Sequence, residues 1–235
     1  MNKNGGHSMK YGIIGAMDEE IEYIKQHIEN KQTYEIANSL FIEGEINGKQ
    51  VILVKSGIGK VNAAMTTTML IERFQPTYII NTGSAGGFER GLKVGDVIVG
   101  KELVYHDVDV TAFDYKFGQV PKLPPTFKSD EQLIDKAITV LEELNIGYRS
   151  GLIATGDSFM SDAERVAQLK KMFPQLLASE MEGTAIAQVC YQYEIPFIVI
   201  RSLSDIAGKD AEITFKDFLQ LASKNAANII MKMIR

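Results

Sequence analysis

The segment Ile195–Asp205 constrains the fold of this chain more than any other stretch. Its first half is a continuous apolar run that opens with Pro196, and its second half, Arg-Ser-Leu-Ser-Asp, is polar. Because the apolar half has no polar face, it predicts a strand buried on both sides within a parallel or mixed sheet. Such sheets bind ligands beyond the carboxyl ends of their strands, so the polar half is a candidate ligand site. A simpler interpretation is that Asp205 only caps a following turn.

Strands and helices alternate along the rest of the chain. Apolar runs such as 10–15 and 149–155 predict strands, and each precedes a helical pattern. The turn Asn47-Gly48 predicts a hairpin, which makes the sheet mixed, and a last helix is predicted to begin at its cap, Thr214. The order therefore predicts an α/β fold, a three-layer α/β/α sandwich with a mixed central sheet.

Two glycine-rich segments follow predicted strands. The run 57–60, Gly-Ile-Gly-Lys, lacks the spacing of a Walker phosphate loop, and no Ser or Thr follows Lys60, so we exclude a triphosphate site of that type. The run 83–87 follows a strand at 78–82 but lacks the Gly-x-Gly-x-x-Gly order of dinucleotide folds. We expect a glycine-rich turn there, which would let the backbone approach a ligand closely.

Composition excludes several classes of partner. Thirty acidic and 25 basic residues give a formal charge of −5, and no block of Lys and Arg offers a surface for nucleic acid or an anionic membrane. No apolar run is long enough to span a bilayer, and the N-terminus lacks the apolar centre of a signal peptide. The single cysteine, Cys190, cannot form an internal disulfide, which favours a reducing, cytoplasmic location. We expect residues 1–8 to be a polar tail or expression remnant and residues 9–235 to form one domain.

A metal site is not expected from the histidines. His106 has two carboxylates nearby, at Asp107 and Asp109, but His7 lies in the tail and His27 on an amphipathic helix. Acids at 18–20 begin a helix, and favourable contact with its macrodipole explains Asp18 and Glu19 well, but explains Glu20 only until a partner carboxylate is found. The region 111–127 is irregular, apolar and proline-containing, which favours a functional loop or one covered by a partner.

Six short motifs occur in order along the chain. They are Gly-Ile-Ile-Gly-Ala-Met-Asp-Glu-Glu at 12–20, Lys-Ser-Gly-Ile-Gly-Lys-Val at 55–61, Asn-Thr-Gly-Ser-Ala-Gly-Gly at 81–87, Tyr-His-Asp-Val-Asp-Val-Thr-Ala-Phe at 105–113, Glu-Met-Glu at 180–182 and Arg-Ser-Leu-Ser-Asp at 201–205. Together they resemble the bacterial 5′-methylthioadenosine/S-adenosylhomocysteine nucleosidases, and the resemblance extends from about Lys10 to the C-terminus. It implies a nucleoside phosphorylase fold and a homodimer without metal or organic cofactor.

The implied reaction is hydrolysis of the N-glycosidic bond of methylthioadenosine, S-adenosylhomocysteine and 5′-deoxyadenosine, in methionine salvage and methyl-cycle recycling. Water attacks an oxocarbenium-like sugar, so the site needs an acid for the leaving base, a base for water and polar groups around the ribose. By the resemblance, Asp205 donates a proton towards N7 of adenine, Glu20 activates the water, and Glu182 binds the ribose hydroxyls.

The resemblance also implies a set of substrate-binding residues. Those beside the purine and sugar are Met181, Ser84, Ala85, Gly86, Phe159, the backbone of Met160, and Ser204, which positions Asp205. Those around the 5′-thio group are Ile58 and Phe215, with Val110, Phe113 and Pro121 supplied by the second subunit. For each apolar member taken alone, core packing is the simpler interpretation.

The segment 208–210, between Asp205 and the last predicted helix, is predicted to be mobile.

Two alternatives remain open at this point. A purine nucleoside phosphorylase of the same fold would use phosphate, which requires arginines or a helix N-terminus free of acids. The acids at 18–20 oppose phosphate binding, but because Arg201 lies on the central strand, the sequence does not exclude a bound anion. A non-catalytic nucleoside sensor would need the stacking and ribose contacts but not Glu20 and Asp205 together.

Overall fold

The computed structural model describes residues 9–208 and 211–235, and within them it contains ten strands and six α-helices. The strands are β1 (Lys10–Gly15), β2 (Glu29–Ile36), β3 (Ser39–Ile46), β4 (Lys49–Lys55), β5 (Tyr78–Gly87), β6 (Val97–Tyr105), β7 (Phe127–Lys128), β8 (Tyr148–Thr155), β9 (Leu176–Glu180) and β10 (Phe197–Ile206). The helices are α1 (Asp18–His27), α2 (Lys60–Phe74), α3 (Glu131–Glu143), α4 (Ala163–Met172), α5 (Gly183–Tyr193) and α6 (Ala211–Met233). No helix in these ranges is long and apolar enough to cross a bilayer.

The strands form one mixed sheet. Its order is β10-β6-β8-β9-β5-β1-β4-β3-β2, with β7 paired to β6. Because β10 also pairs with β5, the strands β5, β9, β8, β6 and β10 close into a ring, while β1 to β4 extend it on one side. Strands β1, β4, β5 and β10 run parallel to one another. Their carboxyl ends therefore meet at one edge.

Helices cover both faces of the sheet. Neighbouring residues of a strand point to opposite faces, so Ile13 packs in a core with α1, α3 and α6, whereas Ile14 packs in a second core with α2 and α5. A smaller cluster joins α4 to the ring, through Val166 and Leu169. The predicted three-layer α/β/α sandwich is confirmed.

The strands β5 and β10 are longer than their apolar runs. Each continues through its polar or glycine-rich half, because the two strands pair with one another as far as Gly87 and Ile206, with a bulge between Leu203 and Asp205. The prediction of a glycine-rich turn at 83–87 is therefore wrong. Backbone pairing between these strands continues after the side chains have ceased to be apolar.

Two other segments differ from the sequence-based expectation. Strand β2 was not predicted, because its residues are polar and mostly exposed, and backbone pairing with β3 defines it. Helix α6 begins at Ala211, so Thr214 lies inside the helix and is not its cap. Ala211 is buried, which favours a start one turn earlier. The expected tail, residues 1–8, and residues 209 and 210 of the expected mobile segment lie outside the described residues.

Candidate active site

A cavity of about 370 Å³ opens at the edge where the parallel strands end. Its walls come from the β1–α1 turn, the β4–α2 loop, the last residues of β5, β9 and β10, the loop after β8, and α6. The lining residues are Ala16, Met17, Glu20, Ile58, Ser84, Ala85, Gly86, Phe159, Ser179, Glu180, Met181, Glu182, Ser204, Asp205 and Phe215. The position of this cavity is that expected for an α/β sheet.

Most of the residues predicted from the sequence lie in this lining, and four do not. Met160 is buried in the core cluster near α4, and its carbonyl accepts a hydrogen bond from the Gly208 N–H at 3.2 Å. Val110, Phe113 and Pro121 lie outside the cavity on the surface, and Phe113 is 75% exposed. The predicted contribution of these three residues to a neighbouring subunit's site stays a prediction.

Glu20 is held at the N-terminus of α1. Its Oε2 accepts the N–H of the N-cap residue Met17 at 3.2 Å, which completes a capping box, and the N–H of Ala16, just before the cap, at 2.7 Å. Its Oε1 accepts the N–H and the hydroxyl of Ser84 at 2.9 and 3.1 Å. These four bonds fix a buried carboxylate in one orientation at the cavity wall.

Gly83 is needed beside this carboxylate. A Cβ atom there would overlap the Arg201 guanidinium and the carboxylate of Glu20, and the residue adopts a φ of +153°. Glycine is thus required because two charged side chains pass close to the β5 backbone.

Asp205 lies near the end of β10 and is 3% exposed. Its Oδ1 accepts the Ser204 hydroxyl at 2.8 Å, and a Cβ at Gly86 would lie 3.0 Å from its Oδ2. Burial raises the pKa of Asp205, and the hydrogen bond from Ser204 offsets this only in part. A carboxyl group with a raised pKa can retain a proton and donate it to a ligand.

Glu182 lies where β9 passes into α5. Its Oε1 accepts the Gly59 N–H at 2.9 Å, and its Oε2 is 3.5 Å from Nη2 of Arg201. Burial raises the pKa of Glu182 to about 8, and the nearby charges of Glu180 and Glu20 act in the same direction, while Arg201 opposes them. The cavity therefore has two carboxyl groups with raised pKa values, those of Asp205 and Glu182.

The Arg201 side chain lies beneath the cavity and is 1% exposed. It donates to the carboxylate of Glu180, to Oδ1 of Asn81 at 2.7 Å and to the Ser84 carbonyl at 3.4 Å. Protein groups therefore bind both Nη atoms, the buried Nε has no partner, and Arg201 is not among the residues that line the cavity. The sequence left an anion site at Arg201 open, and these contacts oppose it.

Four lining residues were not named from the sequence, namely Ala16, Met17, Ser179 and Glu180. The first two contribute backbone N–H groups, for which the sequence has no side-chain signal. Glu180 caps α5, because its Oε2 accepts the N–H groups of Glu182 and Gly183 at 3.0 and 2.7 Å. The position of this acid just before a predicted helix could have indicated from the sequence that Glu180 accepts N–H groups at the helix start.

Comparison with known proteins identifies the family of this chain. Residues 10–235 match the family model described as the phosphorylase superfamily. The chain is 52% identical over 227 residues to a 5′-methylthioadenosine/S-adenosylhomocysteine nucleosidase of Oceanobacillus iheyensis, covering 97% of this chain and 99% of that protein.

Two solved structures of such nucleosidases are also similar. That of Colwellia psychrerythraea, in complex with adenine, is 48% identical with a TM-score of 0.95 and covers 97% of this chain and 95% of its own. That of Neisseria meningitidis, in complex with methylthio-immucillin-A, is 46% identical with a TM-score of 0.94, covering 96% and 98%. This chain belongs to the 5′-methylthioadenosine/S-adenosylhomocysteine nucleosidase family of the phosphorylase superfamily.

Proposed function

We propose that this protein hydrolyses the N-glycosidic bond of 5′-methylthioadenosine, S-adenosylhomocysteine and 5′-deoxyadenosine, within methionine salvage and methyl-cycle recycling. The products are adenine and the corresponding 5-substituted ribose. The observation that carries the proposal is the convergence of Glu20, Glu182 and Asp205 on one cavity, each buried and each held by a different set of hydrogen bonds. The names of the relatives agree with this reaction.

In the proposed mechanism Asp205 is the general acid. Its proton passes to N7 of adenine as the bond between C1′ and N9 breaks, so that the base leaves neutral. The raised pKa of Asp205 supports this role, since a carboxyl group that is ionised at neutral pH has no proton to give.

Glu20 accepts a proton from the attacking water, whose oxygen bonds to C1′ of the oxocarbenium-like sugar. Its hydrogen bonds from the start of α1 and from Ser84 fix the orientation of the carboxylate in the cavity wall. Glu182 binds the ribose hydroxyls, and Met181 packs against the sugar. Phe159 stacks on the purine, beside Phe215 at a ring distance of 5.6 Å.

Hydrolysis is favoured over phosphorolysis by the charges around the cavity. Glu20, Glu180 and Glu182 surround the guanidinium of Arg201, whose two Nη atoms already donate to protein groups. A phosphate ion would meet carboxylates without an available arginine among the lining residues.

We also propose a homodimer in which the partner completes the 5′ pocket through Val110, Phe113 and Pro121. Supporting this, Phe113 is 75% exposed, and Ile58 and Val61 at the start of α2 are 50% and 77% exposed. Apolar exposure of this extent is typical of a covered surface. Phe113→Glu should shift sedimentation towards the monomer and raise KM for methylthioadenosine, whereas an unchanged dimer or KM would contradict the proposal.

A cytoplasmic location is supported by the free, buried thiol of Cys190.

The reaction is tested by incubating the protein with 5′-methylthioadenosine with and without phosphate and identifying the sugar product. We expect free 5-methylthioribose at the same rate in both reactions. A sugar 1-phosphate formed only with phosphate would establish a phosphorylase, and tight binding without any adenine release would establish a sensor.

A further inference from the structure

A charged cluster at the start of α2 lies beside the cavity and takes no part in the proposed mechanism. Nζ of Lys60 is 2.6 Å from Oδ2 of Asp107 and 3.6 Å from Oδ2 of Asp157. The Asp157 N–H donates to the same Asp107 oxygen at 2.9 Å. The cluster therefore ties together α2, the segment after β6 and the loop after β8.

Two successive N–H groups at the start of α2 point to carboxylates from different parts of the chain. The Gly59 N–H donates to Oε1 of Glu182 at 2.9 Å, and the Lys60 N–H donates to Oδ1 of Asp157 at 2.8 Å. Gly59 occupies the N-cap position and has no side chain that could accept these bonds. Asp157 supplies the missing cap from the β8–α4 loop.

Gly59 is shaped for this double contact. Its φ of +97° is a conformation that favours glycine, and a Cβ atom there would lie 3.1 Å from Oδ1 of Asp157. The Ile58–Gly59 peptide thus binds Glu182, and the next peptide, Gly59–Lys60, is held by Asp157, which does not line the cavity.

We propose that Asp157 is a positioning residue for Glu182: by capping α2 it fixes the Gly59 N–H, which in turn orients the Glu182 carboxylate for the ribose hydroxyls. The inference rests on the proposed role of Glu182 in ribose binding. Asp157 is 48% exposed and need not touch the substrate.

The test compares a ligand that contains the ribose with one that lacks it. Dissociation constants are measured by calorimetry for 5′-methylthiotubericidin, a 7-deaza nucleoside, and for adenine. Asp157→Ala should raise the dissociation constant of the nucleoside by about tenfold, as expected for the loss of one hydrogen bond. The dissociation constant of adenine should change by less than about twofold. Asp157→Asn, which keeps an oxygen acceptor for the Lys60 N–H, should restore most of the affinity. Glu43→Gln, which removes a half-buried ion pair at 3.2 Å with Lys10, is the matched control and should change neither.

Glu182→Ala and the double variant distinguish the ways in which the inference can fail. In the Glu182→Ala background, Asp157→Ala should cause no further loss of nucleoside affinity, because the effect passes through Glu182. Additive losses, or equal weakening of adenine, would overturn the inference and place the effect on the purine side. If Glu182→Ala weakens nucleoside and adenine equally, the ribose role of Glu182 is itself wrong. If Glu182→Ala weakens nucleoside binding selectively but Asp157→Ala leaves it unchanged, the positioning role of Asp157 is wrong and the ribose role of Glu182 stands.

Discussion

Arg201 and Glu180 form an ion pair in the interior of the protein, with 1% and 2% of their side chains exposed. The pair joins β10 to the end of β9, below the cavity. Glu180 also binds the first N–H groups of α5, so the pair connects the sheet to the segment that carries Glu182. The positive charge of Arg201 therefore stabilises the packing of β9, β10 and the start of α5 below the cavity.

Removing Arg201 should destabilise the fold. Arg201→Met leaves Glu180 and Glu182 buried without their cation, and breaking such a pair costs about 3–5 kcal/mol. The free energy of unfolding in urea measures this. Arg149→Met is the control, because its contact with Glu89 is exposed, at 3.7 Å, and should contribute less than about 1 kcal/mol. Equal small losses in both variants would show that the buried pair is not structural.

Replacing Glu20 should impair turnover more than folding. In Glu20→Gln the amide NH₂ must face N–H donors of either Ala16 or Ser84, and the group can no longer accept a proton from water. We expect kcat for methylthioadenosine to fall by about 10²–10⁴-fold while adenine still binds. Glu19→Gln changes the neighbouring exposed acid of α1 and should retain normal kcat. Activity that survives Glu20→Gln would exclude its role as the base.

The raised pKa of Glu182 predicts a dependence of stability on pH. With a folded pKa of about 8, above the ordinary value of 4.5, the unfolded chain loses this proton first as pH rises. The contribution of Glu182 to stability is thus complete below about pH 4.5 and declines up to about pH 8. Glu182→Gln removes this decline and keeps the acceptor for the Gly59 N–H. The Tm of Glu182→Gln minus that of the original protein should therefore increase between pH 5 and pH 8. The increase corresponds to roughly 1–3 kcal/mol in the free energy of unfolding. A difference in Tm that is constant with pH would contradict the raised pKa.

Much of the fold could be predicted from local pattern. The strand Lys10–Gly15 was predicted with its observed bounds. The sequence also places a helix start at Ser129 or Asp130 and another at Asp162, and the structure has Asp130 and Asp162 as the N-caps of α3 and α4. The strand is marked by its apolar run and the two helices by apolar periodicity with a local cap, so neighbouring residues define all three elements. Strand β2 has neither signal, since partner pairing alone defines it.

The site could be predicted only as far as strand ends and motifs indicate it. Asp205 and Glu20 were named because each follows an apolar strand and matches a motif. The pairing of Arg201 with Glu180 depends on the packing of β10 and β9 around the closed ring, which no local pattern encodes. The capping of α2 by Asp157 likewise joins residues 97 positions apart in the chain.

The most direct test of the mechanism is whether Asp205 acts as a proton donor to the leaving base. The turnover of Asp205→Asn is compared with that of the original protein on 5′-methylthioadenosine and on 4-nitrophenyl 5-methylthioriboside, whose leaving group departs without protonation. General acid catalysis predicts a loss of about 10²–10⁴-fold in kcat on the nucleoside and a much smaller loss on the nitrophenyl riboside, with the variant folded. An equal loss on both substrates, or retained turnover of the nucleoside, would contradict the role of Asp205 as the acid.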